Sequence, residues 1–148
     1  MSKRLLNGIC LLLFGGSILL VVAAFFIWND PTEYIVEDSG GITQLTIDQC
    51  DLMKRNKKTM VRGWAYIQEQ PHASYSVYAE LSNNRYRKFE TFSESRADVV
   101  NALELDPAYK LVGFKAGYRN LSSPYTGKIV VHATNATGEV FSASYQCL

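Results

Sequence analysis

Charge of either sign is absent from Leu5 to Trp28, histidine occurs only twice in the chain and cysteine three times. Each scarcity excludes something. About 24 uncharged, mostly apolar residues reach roughly 36 Å as a helix, enough to cross a bilayer core of about 30 Å. A lone strand there would leave its backbone groups unpaired in lipid, so a helix is expected. Cys10 is the one ionisable side chain inside the run, which argues against a pore or proton path within this chain alone. His72 and His132 have no metal-ligand spacing with any cysteine, and no CxxC occurs. Also missing are GxSxG, a phosphate-binding glycine loop and HExxH. No enzyme activity, cofactor or metal is therefore expected.

What is present begins with the flanks of the apolar run. Lys3 and Arg4 precede it, and Asn29, Asp30 and Glu33 follow it. Positive residues stay on the cytoplasmic side, so residues 1–4 are expected in the cytoplasm, residues 5–28 as a single transmembrane helix, and the rest outside. A cleaved secretory signal would have a shorter core and a small-residue exit, whereas this run leaves through Phe25-Phe26-Ile27-Trp28. Ile9 before Cys10 is too large for a lipid-attachment box. Gly8, Gly15 and Gly16 offer small surfaces for a partner helix, although no two are four residues apart, and they are equally compatible with a lipid-facing helix.

Of the 15 lysines and arginines, 13 lie beyond the apolar run, against 14 acids. That near-neutral balance gives no electrostatic basis for binding nucleic acid. Cys50 and Cys147 sit near the start and end of the same region. In an oxidising compartment their pairing as a disulfide is expected. Two buried free thiols, or a metal or redox role, are the alternatives.

Residues 29–41, with a proline, several acids and Gly40-Gly41, read as a stalk, and residues 42–148 as one extracytoplasmic domain. Strands are expected at 42–47, 59–67, 74–82, 85–92, 110–118, 127–134 and 139–147. The clearest is 74–82, where Tyr75, Val77, Ala79 and Leu81 alternate with polar residues or Tyr78. Asn83-Asn84 suits a tight turn, and 135–138 forms another. Between strands, Val99, Val100 and Leu103 are spaced for one short helix over 96–105, with Ser95 as cap, Asp98 reciprocating and Pro107 ending it. The pattern is all-β with one short helix: an immunoglobulin-like or jelly-roll-like β-sandwich behind a single transmembrane helix.

Several residues invite a functional reading beside a structural one. Lys54, Arg55, Lys57 and Lys58 form a basic turn, suited to phosphate, headgroups or an acidic glycan, or simply a solvated loop. Glu80 and Glu90 are nominable as a glycosidase pair, but nothing sets their separation. His132 shares a strand face with Val130 and Thr134 and reads as structural. Trp64, Tyr66, Tyr78 and Tyr86 offer flat amphipathic rings for stacking on sugars or filling an interface, or they serve the core. Arg96 and Asp98 open the helix. The acid suits that position, and the arginine is expected to pin a carboxylate or carbonyl, with ligand contact as the alternative. Asn120-Leu121-Ser122 and Asn135-Ala136-Thr137 are glycosylation sequons in a eukaryote and plain turns in a bacterium.

The ordered set Gly63-Trp64-Ala65, Val77-Tyr78, Arg96-Ala97-Asp98-Val99, Gly113-Phe114 and a closing strand from Gly127 resembles an accessory β-sandwich domain. That domain occurs fused to, or beside, bacterial cell-surface polysaccharide enzymes and glycosyltransferases. The likeness spans roughly residues 60–145. It implies a non-catalytic module near surface glycans, in which Trp64, Arg96, Asp98, Gly113 and Phe114 mark the fold. Here the domain follows its own membrane helix, with no enzyme domain in the same chain. The expectation is a single-pass accessory subunit of a membrane-bound glycan synthesis or transfer complex, facing the periplasm or cell exterior from the inner or plasma membrane. It would brace a polytopic membrane protein or bind glycan. A protein-binding adhesion, immunity or exclusion factor of the envelope is the alternative.

Overall fold

A computed structural model describes residues 3–28, 32–52, 59–118 and 125–147. The basic turn at Lys54–Lys58, the sequon at Asn120, and Asn29 and Asp30 lie outside them. The chain divides into two units. The first is helix α1 (Lys3–Trp28), within which Asn7–Ile27 is long and apolar enough to cross a membrane.

Among its described residues the second unit contains eight strands: β1 (Glu33–Tyr34), β2 (Gln44–Asp51), β3 (Thr59–Tyr66), β4 (Ser74–Leu81), β5 (Tyr86–Glu94), β6 (Gly113–Tyr118), β7 (Tyr125–Thr134) and β8 (Val140–Gln146). Helix α2 (Ala97–Ala102) and a 3₁₀ turn (Pro107–Leu111) connect β5 to β6. Named strand pairs are antiparallel, in the order β2-β3-β6-β5-β4-β7-β8, with β1 added beside β5. β5 belongs to two sheets. Tyr86–Phe89 pair with β4, and Glu90–Glu94 pair with β6. A strand that changes sheets makes the corner of a sandwich. At this corner the amide of Val77 finds the hydroxyl of Thr91 at 3.3 Å, and that hydroxyl donates to the carbonyl of Phe89 at 3.0 Å. The expected all-β fold behind an apolar helix is thus realised as two sheets sharing one strand.

The core follows the alternation read from the sequence. Tyr75, Val77, Ala79 and Leu81 point inward from β4, opposite Val61, Ala65, Phe114 and Ala116 of the facing sheet. Phe89 packs on Tyr118 and Tyr125, with ring centres 6.0 and 5.6 Å apart. Tyr75 enters the core because its hydroxyl reaches the carbonyl of Ala65 at 2.6 Å, and burial raises its pKa. β2 carries one extra residue, Asp48, between the pairs Ile47–Gly63 and Gln49–Arg62. This bulge keeps Ile47 and Cys50 both turned to the core although they are three residues apart. Cys50 and Cys147 are bonded, Cα atoms 5.9 Å apart, and the bond ties the two ends of the strand order together.

Three expectations shift. The segment read as a stalk, 29–41, contributes β1 and then crosses the outer face of the β4-β7-β8 sheet, so the domain begins upstream of residue 42. The strand expected from Lys110 begins at Gly113. Asp106 accepts from the amide of Ala108 at 2.7 Å, and Pro107 fits the first helical position, so 107–111 coil instead. Ser95 does not cap α2. Arg96 occupies the cap position without a side-chain cap bond, and its side chain turns elsewhere.

Candidate functional site

Three pieces of the sequence signature, Gly63-Trp64, Arg96-Ala97-Asp98-Val99 and Gly113, meet at one corner. Arg96 holds Asp98 through Nε at 2.9 Å and a second guanidinium nitrogen at 2.8 Å, and holds the bulge carboxylate Asp48 at 2.5 Å. Its backbone amide donates to the carbonyl of Lys110 at 2.9 Å, joining the start of α2 to the 3₁₀ turn. Beside it Arg62 forms a two-pronged pair with Glu94, at 2.8 and 2.6 Å. The Arg96 side chain is only 14% exposed. These partners hold the carboxyls of Asp98 and Glu94 below their ordinary values and the two guanidiniums above theirs.

Two glycines make the corner possible. A Cβ on Gly113 would meet Cγ of Arg96 at 2.5 Å and the carbonyl of Glu94 at 2.7 Å. A Cβ on Gly63 would strike the carbonyl oxygen of Thr46, just before the Asp48 bulge. The glycine of each motif therefore gives room to the backbone or side chain of its neighbour. Trp64 pairs in register with Gly113, and Val99, Val100, Tyr109 and Val112 cover its ring, leaving it 8% exposed. Tyr66 lies edge-on to Tyr109 at 6.1 Å. Arg96 and Asp98 act as the pin expected of them, and Trp64 and Tyr66 form the sheet side of a second small core beneath α2.

Tyr78 and Tyr86 lie elsewhere, on the other sheet. Tyr86 is buried, and its hydroxyl donates to Glu80 at 3.0 Å. Glu80 also accepts from the hydroxyl of Thr126 at 2.6 Å and pairs with Lys128 at 3.7 Å. A widened turn of β7 around Gly127 (φ 94°) brings those two partners within reach. The Thr126 bond, opposed by partial burial and helped by Tyr86 and Lys128, holds the Glu80 carboxyl low. Glu90 pairs in the opposite sheet, so the structure does not bring the two glutamates together as a catalytic couple. Tyr78 touches Tyr34 and His132, with ring centres 5.8 and 4.9 Å away.

The nominated contact residues are thus divided between two surfaces and engaged within the domain. Sequence reasoning missed Phe92, which is 58% exposed on the outer face of β5 beside Lys115. It also missed the crossing segment 33–42. The Asp48 bulge left its own sequence signal in the three-residue step from Ile47 to Cys50, which breaks the two-residue alternation. Asn135 is 7% exposed, and its side-chain oxygen accepts from Thr137 and Glu139 amides at 3.0 and 2.9 Å, so this sequon is used as a turn. On α1, Gly8, Gly15 and Gly16 have nothing within 4 Å of an added Cβ, and Gly8 and Gly15, seven residues apart, share one face. Set against known proteins, the chain matches no family model, no curated protein and no solved structure.

Proposed function

We propose that this chain is a single-pass, non-catalytic accessory subunit of a membrane-bound cell-surface glycan synthesis or transfer complex, and that it braces a polytopic partner. The observation that carries this reading is the use of the nominated aromatic and charged side chains. Trp64 is roofed over, Tyr86 is buried, Tyr78 lies under Tyr34, and Arg96 is held by two carboxylates. Trp64 and Tyr86 are buried, and Tyr66 and Tyr78 are half-buried against neighbouring rings, which favours bracing over glycan binding as the domain's task. Lys3 and Arg4, at the start of α1 ahead of its apolar run, and the Cys50–Cys147 bond support a cytoplasmic N-terminus and an oxidising compartment for the domain. The glycan half of the reading rests on the ordered Gly-Trp-Ala, Arg-x-Asp-Val and Gly-Phe signature, whose members touch one another at the corner.

Purification from native membranes in mild detergent, with copurifying proteins identified by mass spectrometry, tests the proposal. A stoichiometric polytopic glycan enzyme is the expected companion, and Gly15→Leu should strip it away while the disulfide stays intact. Recovery of the protein alone would defeat the subunit reading. A second reading, a protein-binding envelope factor, draws on β2, which ends the strand order and, among the described residues, has β3 as its one paired strand. Such an edge accepts a strand from another protein. A soluble or surface partner in the same purification would favour it.

A further inference from the structure

Residues 33–42 form a strap across the outer face of the β4-β7-β8 sheet. Its first fastening is β1, paired with β5 through Glu33–Arg87 and Tyr34–Tyr86. Its second is Ser142, a fully buried serine on β8. The Ser142 hydroxyl donates to Asp38 at 3.0 Å and accepts from the amides of Ser39 and Gly40 at 2.6 and 3.1 Å. The Ser142 amide in turn donates to the carbonyl of Gly40 at 2.9 Å, and Gly41 bridges the same residue in parallel.

Between the two fastenings lies His132. It stands in register with Ser76 on β4 and Ser142 on β8. Its ring packs against Tyr78, which packs against Tyr34 of the strap. The Nε2 atom is buried and has no hydrogen-bond partner among the described residues. The other polar or charged groups that face it are the backbone of Glu37 and the carboxylate of Asp38 from the strap, and Lys88 from β5. A neutral imidazole tolerates a bare Nε2 as an unused acceptor, whereas an imidazolium must donate from both nitrogens. We propose that His132 is a proton-operated latch, and that protonating it lifts residues 33–42 off the sheet while the sandwich stays folded.

Burial pushes the His132 pKa down, the Glu37 backbone and Asp38 pull it back, and Lys88 adds to the depression. With the strap lifted, the ring meets water and titrates near its ordinary value of about 6.5. A base whose docked pKa lies below its free value leaves the strap fully fastened above about pH 6.5. Fastening weakens as the pH falls below that value. Asp38 is not the switch: the Ser144 and Ser142 hydroxyls and the Gly40 amide hold its carboxyl below its ordinary value, beneath this window. Lifting bares Tyr78 and Ser142, which the strap touches at its fastenings.

Hydrogen exchange of the full chain in detergent micelles at pH 7.5 and 5.5, corrected for intrinsic rates, reads the latch directly. Protection of the 33–42 amides should fall up to about tenfold at pH 5.5, while β4 and β7 keep theirs. His132→Gln should remove the pH dependence, and His72→Gln should retain it. Equal strap protection at the two pH values in the wild-type chain overturns the proposal whether or not the variants fold. So does a pH response that survives in His132→Gln or disappears in His72→Gln.

Discussion

Removing the Cys50–Cys147 bond tests how the sandwich is closed. The two cysteines are 97 residues apart in sequence, and in the chain-entropy account a loop of about 100 residues is worth about 4.7 kcal/mol at 25 °C. The residues it joins lie at the two ends of the strand order, and each end keeps its own hydrogen-bonded neighbour, β3 or β7, without the bond. Its loss should therefore lower stability without changing topology. With a urea slope of about 1.5 kcal/mol/M, a loss of about 4.7 kcal/mol moves the midpoint down by roughly 3 M. The assay is urea unfolding of the full chain in micelles, read from Trp64 fluorescence in a Trp28→Phe background. Oxidised protein, reduced protein and Cys50→Ala/Cys147→Ala are compared. Reduced protein and the double variant should unfold together, the variant slightly earlier because buried Cys147 leaves a small void. A midpoint shift under about 0.7 M, roughly 1 kcal/mol, would refute the argument that the loop's entropy sets the stability.

Gly63→Ala should cost about 1–3 kcal/mol in the same assay, because the added methyl meets a backbone carbonyl that cannot rotate away. Val100→Asp should cost about 3 kcal/mol or more by burying a carboxylate under α2, with a red shift of Trp64 emission as its roof lifts. Glu80 has its carboxyl held low in the fold, so its contribution is present above the ordinary glutamate range and is lost as pH falls through about 4.5 and below. Glu80→Gln should accordingly flatten the acid limb of a stability–pH curve, and an unchanged limb would remove Glu80 from its cause.

Much of the domain was legible because a half-buried strand advertises itself by alternation. In 74–81 every inward residue was identifiable, and Asn84 adopts the positive φ (58°) for which asparagine suits a tight turn. Alternation separates the two faces of a strand but does not say what covers the outer one. Trp64 and Tyr78 both point outward. One lies beneath α2 and the other beneath the strap, and neither cover is encoded near them in sequence. The strap carried no periodic signal, since Asp38, Ser39, Gly40 and Gly41 fasten its far end through polar groups to a single serine about 100 residues away. The same limit applies to Arg96: its local partner Asp98 was readable, whereas Asp48 comes from a bulge on a distant strand.

The strap also has a mechanical meaning. It is the first part of the domain to receive any pull transmitted along the chain from α1, and it is held by a two-residue strand and one serine, far fewer bonds than β2 behind it. Tension would peel it first and release about ten residues, which reach roughly 33 Å when fully extended, before β2 bears load. Behind that fuse the Cys50–Cys147 link passes force from β2 straight to the end of β8, sparing the strands between from being drawn out one by one.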